Sequence, residues 1–155
     1  MLRINSEVAP AGVDRWLGVA RPLGTTVVFL IVLAAVAAFH PERALSLGVA
    51  ALAAEALTKA VKILVGRARP FEQDARVVLR LPRRPVDAGF PSGDAMRAAF
   101  LAGVAWSVMP WAGWLAAPFA VIVGLGRIRV GVHYPLDVWA GWCVGLGAAL
   151  AWYGW

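Results

Sequence analysis

Three short polar islands interrupt an otherwise apolar chain: Lys62-x6-Arg69-Pro70, Pro91-Ser92-Gly93-Asp94 and Arg127-x5-His133-x3-Asp137. Charge is costly inside a bilayer, so charged groups bordering apolar segments are functional candidates. The residue types suit phosphate chemistry. Arg69 and Arg127 carry planar forks that match phosphate oxygens, and Lys62 adds a point charge. Lys62 and Arg69 are about two helical turns apart, so they share a face if one helix persists through both. Ser92 and Gly93 stand where a helix should open after Pro91, and the free N–H groups there form a ready anion site. A serine in that position is also an ordinary helix cap. His133 and Asp137 are spaced i, i+4. A carboxylate bonded to one ring nitrogen fixes the tautomer and raises the basicity of the other, which prepares a histidine for covalent attack on phosphorus. The alternative is a pair that only pins a loop.

The elements that must position these groups follow from composition. The 155 residues are 61% hydrophobic and 15% charged, with mean hydropathy +0.71. Soluble domains are about 45–50% apolar and about 25% charged, so the chain reads as an integral membrane protein. Each span needs about 20 apolar residues. The reading is all-α: one membrane-embedded domain over residues 1–155, with an interfacial N-terminal segment (1–21) and a helical bundle (22–155). Five spans are expected: Pro22 to Phe39, Ala44 to Gly66, Ser92 to Met109, Trp114 to Leu125, and Pro135 to the C-terminus. A turn is expected at Pro110 to Gly113 and a basic linker at Gly126 to Tyr134.

This topology places all three islands on one side of the membrane. Of the 15 Lys and Arg residues, only Arg43 falls on the other side. The positive-inside rule then puts the islands in the cytoplasm. Trp106, Trp111, Trp114, Trp152 and Trp155 gather toward the opposite face, as an aromatic belt would. The net charge of +6 can suit a nucleic-acid binder, but the basic residues flank apolar spans, which fits an anionic lipid headgroup instead. Arg76, Arg80, Arg83 and Arg84 in the long loop are either an orientation signal or a means of steering acidic substrates. Glu55 and Lys59, at i, i+4 in the second span, suggest a mutual ion pair, with substrate contact as the alternative. Gly141-x3-Gly145 brings two helices close, within one chain or across a homodimer. Cys143, the one cysteine, reads as a small packing residue.

The islands, in this order and spacing, resemble the type-2 phosphatidic acid phosphatase family, which includes the lipid phosphate phosphatases and their haloperoxidase relatives. That family's pattern is K-x6-RP, then PSGH, then SR-x5-H-x3-D, and the likeness covers roughly residues 55–145. It implies that Lys62, Arg69, Ser92, Gly93 and Arg127 hold the phosphate. It also implies that His133 forms a phosphohistidine oriented by Asp137, and that no metal or other cofactor takes part. The run Phe90 to Phe100, FPSGDAMRAAF, is similar to the branch acting on polyisoprenoid diphosphates. Two positions depart from the pattern. Gly126 replaces the usual serine. Asp94 replaces the histidine that protonates the leaving group.

The expected activity is hydrolysis of a lipid phosphate or diphosphate, with polyisoprenoid diphosphate ahead of phosphatidic acid-type lipids. Asp94 leaves three options: a working acid with a raised pKa or with a leaving group that needs little protonation, an inactive relative that still binds lipid phosphates, or a substitution made to trap the protein. A lipid phosphotransferase would share every site residue. A transporter fits poorly, because the charges gather at one boundary rather than at the midplane.

Overall fold

The structure is a computed structural model, and it describes residue 5, residues 24–81 and residues 83–154. The expected interfacial segment, 1–21, lies outside the described residues except for Asn5. The described elements are all helical: α1 Thr26–Phe39, a 3-10 turn Pro41–Arg43, α2 Ala44–Val65, a short α3 Pro70–Gln73, α4 Gly93–Val108, α5 Pro110–Arg129 and α6 Pro135–Tyr153.

The five long helices stand where the spans are expected, with shifted ends. α5 absorbs both the expected turn and the start of the basic linker. Pro110 opens it at a first-turn position, where proline's missing N–H costs nothing. Arg127 therefore lies in the last turn of a helix rather than in a loop. α2 ends at Val65 with Gly66 left-handed at φ 57°. Lys62 and Arg69 consequently do not share one helix, and Arg69 instead caps α3.

Among the described residues, Pro110–Arg129 alone is long and apolar enough to cross a membrane. The pair Thr26–Phe39 and Pro41–Gln73, bent by 119°, can supply a second span. The other helices miss those criteria for local reasons. α4, for instance, has only 16 residues. The outward helix faces are nevertheless apolar: Leu45, Ile63, Leu64, Trp114 and Leu150 are all exposed. Cys143 also points outward, so it is not the packing residue expected.

α4 lies against α6 and α5. The main core joins Phe29, Leu47, Met96, Phe100 and Trp152. Phe29 and Phe100 meet edge to face at 5.7 Å, an arrangement worth about 0.5–1.5 kcal/mol beyond burial. Trp106, Trp111 and Trp114 are exposed as the belt expectation requires, whereas Trp152 is buried and donates to Ser46 Oγ at 3.1 Å. Trp155 lies outside the described residues.

Gly141 and Gly145 set the α4–α6 distance. A Cβ on Gly141 would strike the Ser92 carbonyl oxygen, and one on Gly145 would strike the Met96 carbonyl oxygen. The small-residue spacing is therefore used inside the chain. Overpacking such a contact costs about 1–3 kcal/mol or more. Gly145→Leu is expected to lower the unfolding temperature in detergent sharply. Gly147→Leu, where a Cβ meets nothing within 4 Å, should leave it nearly unchanged.

Candidate active site

The end of α2, the start of α4, the end of α5 and the segment leading into α6 surround a cavity of about 650 Å³, with the loop between α2 and α4 as its rim. Lys62, Arg69, Gly93, Asp94, Arg127 and His133 all line it. Ser92 and Asp137 sit directly behind. The Ser92 hydroxyl is fully buried and caps α4, accepting from Ala95 N–H at 3.4 Å. Its own N–H donates to the Asp137 carbonyl at 2.8 Å, which ties the start of α4 to the start of α6. The N–H groups that open α4 lack partners within their helix, as at every helix start.

His133 is 3% exposed. Its Nδ1 lies 2.7 Å from the Gly89 carbonyl oxygen and 3.7 Å from Asp137 Oδ2. A carbonyl only accepts, so Nδ1 carries the proton. Nε2 is left as the lone-pair nitrogen, 3.5 Å from Arg69 Nη1. The expected Asp137 contact is present but long, and the Gly89 carbonyl is the nearer partner of Nδ1. Asp137 is fully buried and also accepts from Tyr134 N–H at 2.7 Å and from Arg67 Nη1 at 3.0 Å. Arg67 also lies over the Tyr134 ring. Burial pushes the His133 imidazole below its ordinary 6.5. The Asp137 carboxylate opposes that, and the charges of Arg69, Arg127 and Lys62 reinforce it. On balance the uncharged ring is favoured.

The cations are not bare. Asp87 bridges two of them, with Oδ2 2.9 Å from Lys62 Nζ and Oδ1 2.6 Å from Arg69 Nη2. Backbone carbonyls hold the same groups: Ala88 accepts from Lys62 at 2.6 Å, and Asp87 accepts from Arg69 Nε at 2.9 Å. Burial works to raise the Asp87 carboxyl. Hydrogen bonding and charge from Lys62, then from Arg69, outweigh it and hold the group at about 2. Asp87 is thus charged at every pH of interest.

Asp94 likewise joins two cations, Arg127 Nη2 at 2.9 Å and Arg97 Nη1 at 3.2 Å. Arg97 also grips Glu55, through Nε at 2.5 Å and Nη2 at 3.0 Å. This corrects the expected Glu55–Lys59 pair, because the partner of Glu55 comes from α4 rather than from its own helix. Of the loop arginines, Arg76 pairs with Asp74, Arg80 donates to the Asn5 carbonyl and Arg84 lies over Phe71; the cavity wall is made by other residues.

Asp87 and Arg67 were missed in the sequence. Each had a faint signal. Asp87 is the sole carboxylate between Asp74 and Asp94, and Arg67 sits inside the first island.

The PAP2 superfamily model matches residues 43–155. Among curated proteins, the chain is 38% identical over 85 residues to an undecaprenyl-diphosphatase of Sulfolobus acidocaldarius, covering 54% of this chain and 41% of that protein. It is 34% identical over 102 residues to the bacitracin transport permease protein BcrC of Bacillus licheniformis, covering 66% of this chain and 50% of that one. The match therefore spans half or less of these relatives' own lengths. Among solved structures, Aquifex aeolicus LpxE superposes with a TM-score of 0.85 at 25% identity, covering 99% of this chain and 93% of LpxE. A transmembrane PAP2-type phosphatidylglycerolphosphate phosphatase from Bacillus subtilis gives 0.77 at 24% identity, over 95% of this chain and 78% of that one, a likeness of fold.

Backbone carbonyls keep Lys62 and Arg69 in place, so Asp87→Asn removes mainly a competing negative charge. We expect it to tighten inorganic phosphate binding several-fold, on the order of 1 kcal/mol for a partly exposed pair. Calorimetric titration in detergent at pH 7 checks this; weaker binding would mean that the carboxylate organises the cations rather than competing for them.

Proposed function

Because the chain belongs to the PAP2 superfamily, we propose that it is a membrane lipid phosphatase that cleaves a terminal phosphate through a phosphohistidine on His133. The observation that carries this reading is the lone pair of His133 Nε2, set beside Arg69 in a cation-rich cavity with its Nδ1 proton held by Gly89. Lys62, Arg69, Arg127 and the N–H groups around Gly93 bind and neutralise the phosphoryl oxygens. Ser92 acts by capping α4 and fixing those N–H groups.

Nε2 attacks phosphorus in line, the N–P bond forms, and the P–O bond to the leaving group breaks with its electron pair on oxygen. Water then attacks the phosphohistidine, inorganic phosphate departs, and Nε2 recovers its lone pair. Asp137 and Arg67 hold the start of α6, and with it His133, against the cavity.

Polyisoprenoid diphosphate is the favoured substrate class, and phosphatidic acid-type lipids come next. The undecaprenyl-diphosphatase relative supports the first. So does Asp94: a carboxylate paired with Arg97 and Arg127 is placed to hold cations, and a departing monoester phosphate needs no proton, whereas a departing alkoxide does. The charge bias along the sequence supports a site at the cytoplasmic face, with the lipid tail entering between helices.

The test is phosphate release by the purified protein in detergent, with farnesyl diphosphate and phosphatidic acid, from pH 5 to 8. His133→Ala should abolish release, a loss of at least about 10³-fold for removal of a nucleophile. The acid limb of kcat/KM should lie below pH 6.5, following the lowered His133 imidazole. Asp94→His should favour phosphatidic acid over the diphosphate by about 10²-fold, the usual worth of a general acid. Turnover that appears only in Asp94→His would overturn the reading in favour of a lipid-phosphate binder, and phosphate found on a second lipid would make the protein a phosphotransferase.

A further inference from the structure

Five cations line the cavity, Lys59, Lys62, Arg69, Arg97 and Arg127, against three carboxylates, Glu55, Asp87 and Asp94. The pairing divides them. Lys62 and Arg69 share Asp87, while Arg127 and Arg97 share Asp94 and Arg97 also holds Glu55. Lys59 is left over. It lines the same cavity, one turn before Lys62, and because Arg97 has taken Glu55 it has no ion-pair partner among the described residues. Arg97 leans back over the start of α4, with its guanidinium nitrogens 3.6 and 3.7 Å from where a Cβ on Gly93 would stand. These two cations belong to none of the three islands. Arg97 pairs with Asp94, the position at which the family resemblance puts the leaving group, and Lys59 lies one helical turn from Glu55, the other partner of Arg97. The cavity, at about 650 Å³, is of a size that encloses a small molecule rather than one phosphoryl group.

We propose that Lys59, with Arg97 held in place by Glu55, forms a second anion subsite for the phosphate nearer the lipid, so that the cavity selects diphosphates over monophosphates. This rests on the phosphatase reading and deepens it. When Nε2 attacks the outer phosphorus, the bridging P–O bond breaks and its electron pair goes to the inner phosphate. That group leaves as a monoester anion whose growing charge Lys59 and Arg97 neutralise. The subsite supplies by charge what Asp94 does not supply by proton.

The test uses the purified full chain in detergent and two ligands that cannot be hydrolysed, farnesyl methylenediphosphonate and farnesyl phosphonate. Dissociation constants are measured by calorimetry for the unaltered protein, Lys59→Gln and Lys59→Arg. Lys59 is exposed, so these variants do not threaten the core. The unaltered protein should prefer the diphosphonate by about tenfold or more, the scale of one charge-assisted contact. Lys59→Gln should erase most of that preference and Lys59→Arg should restore it. A Lys59→Gln preference equal to that of the unaltered protein, or equal weakening of both ligands, overturns the subsite. Turnover of farnesyl diphosphate is scored separately. A Lys59-dependent preference without turnover would sink the phosphatase reading and leave the subsite standing, whereas turnover without the preference would do the reverse.

Discussion

The backbone hydrogen bond from Ser92 N–H to the Asp137 carbonyl is the contact on which the rest of the site depends. It forms only because Gly141 and Gly145 let α6 lie directly on the backbone of α4. With a side chain at either position the two helix starts would separate by the width of a Cβ. His133 and Gly93 would then no longer face one cavity. The same contact places Gly89, just before α4, against His133 Nδ1. One close helix crossing thus sets the position and tautomer of His133 and the place of the helix start at Gly93.

Around that frame the charges are matched in pairs across elements rather than along them. A carboxylate from the loop serves a cation from α2 and one from the α3 cap. Asp94 of α4 serves Arg127 of α5, and Glu55 of α2 serves Arg97 of α4. Uncompensated charge in a partly buried site is costly, and the cations of the cavity are set against internal carboxylates. Asp87 illustrates the compromise. Its half-exposed carboxylate satisfies Lys62 and Arg69, while backbone carbonyls hold both cations independently of it. The two cations are therefore held in place by more than the carboxylate.

The family and the all-helical class were legible in the sequence because they rest on spacing and apolar runs, which survive without coordinates. The PAP2 match and the solved relatives agree with both. Local pairing was less legible. Glu55 and Lys59 satisfy the i, i+4 rule, yet Glu55 turned to Arg97, because a guanidinium approaching from a neighbouring helix offers two parallel bonds. The same i, i+4 logic overstated the His133–Asp137 bond, where a loop carbonyl reached the ring first. Helix ends also moved: Gly66 stopped α2 before Arg69, and Pro110 started α5 sooner than a turn allowed.

The sequence by itself determined which residue types stand ready for phosphate chemistry, their order, and the apolar segments between them, since each is a property of the chain read in one dimension. Tertiary structure alone decided which carboxylate meets which cation, which ring nitrogen of His133 is left unprotonated, and that Lys59 has no ion-pair partner among the described residues. Those outcomes turn on ångström distances between side chains far apart in sequence. Competing partners for the same charge differ there in geometry rather than in residue type.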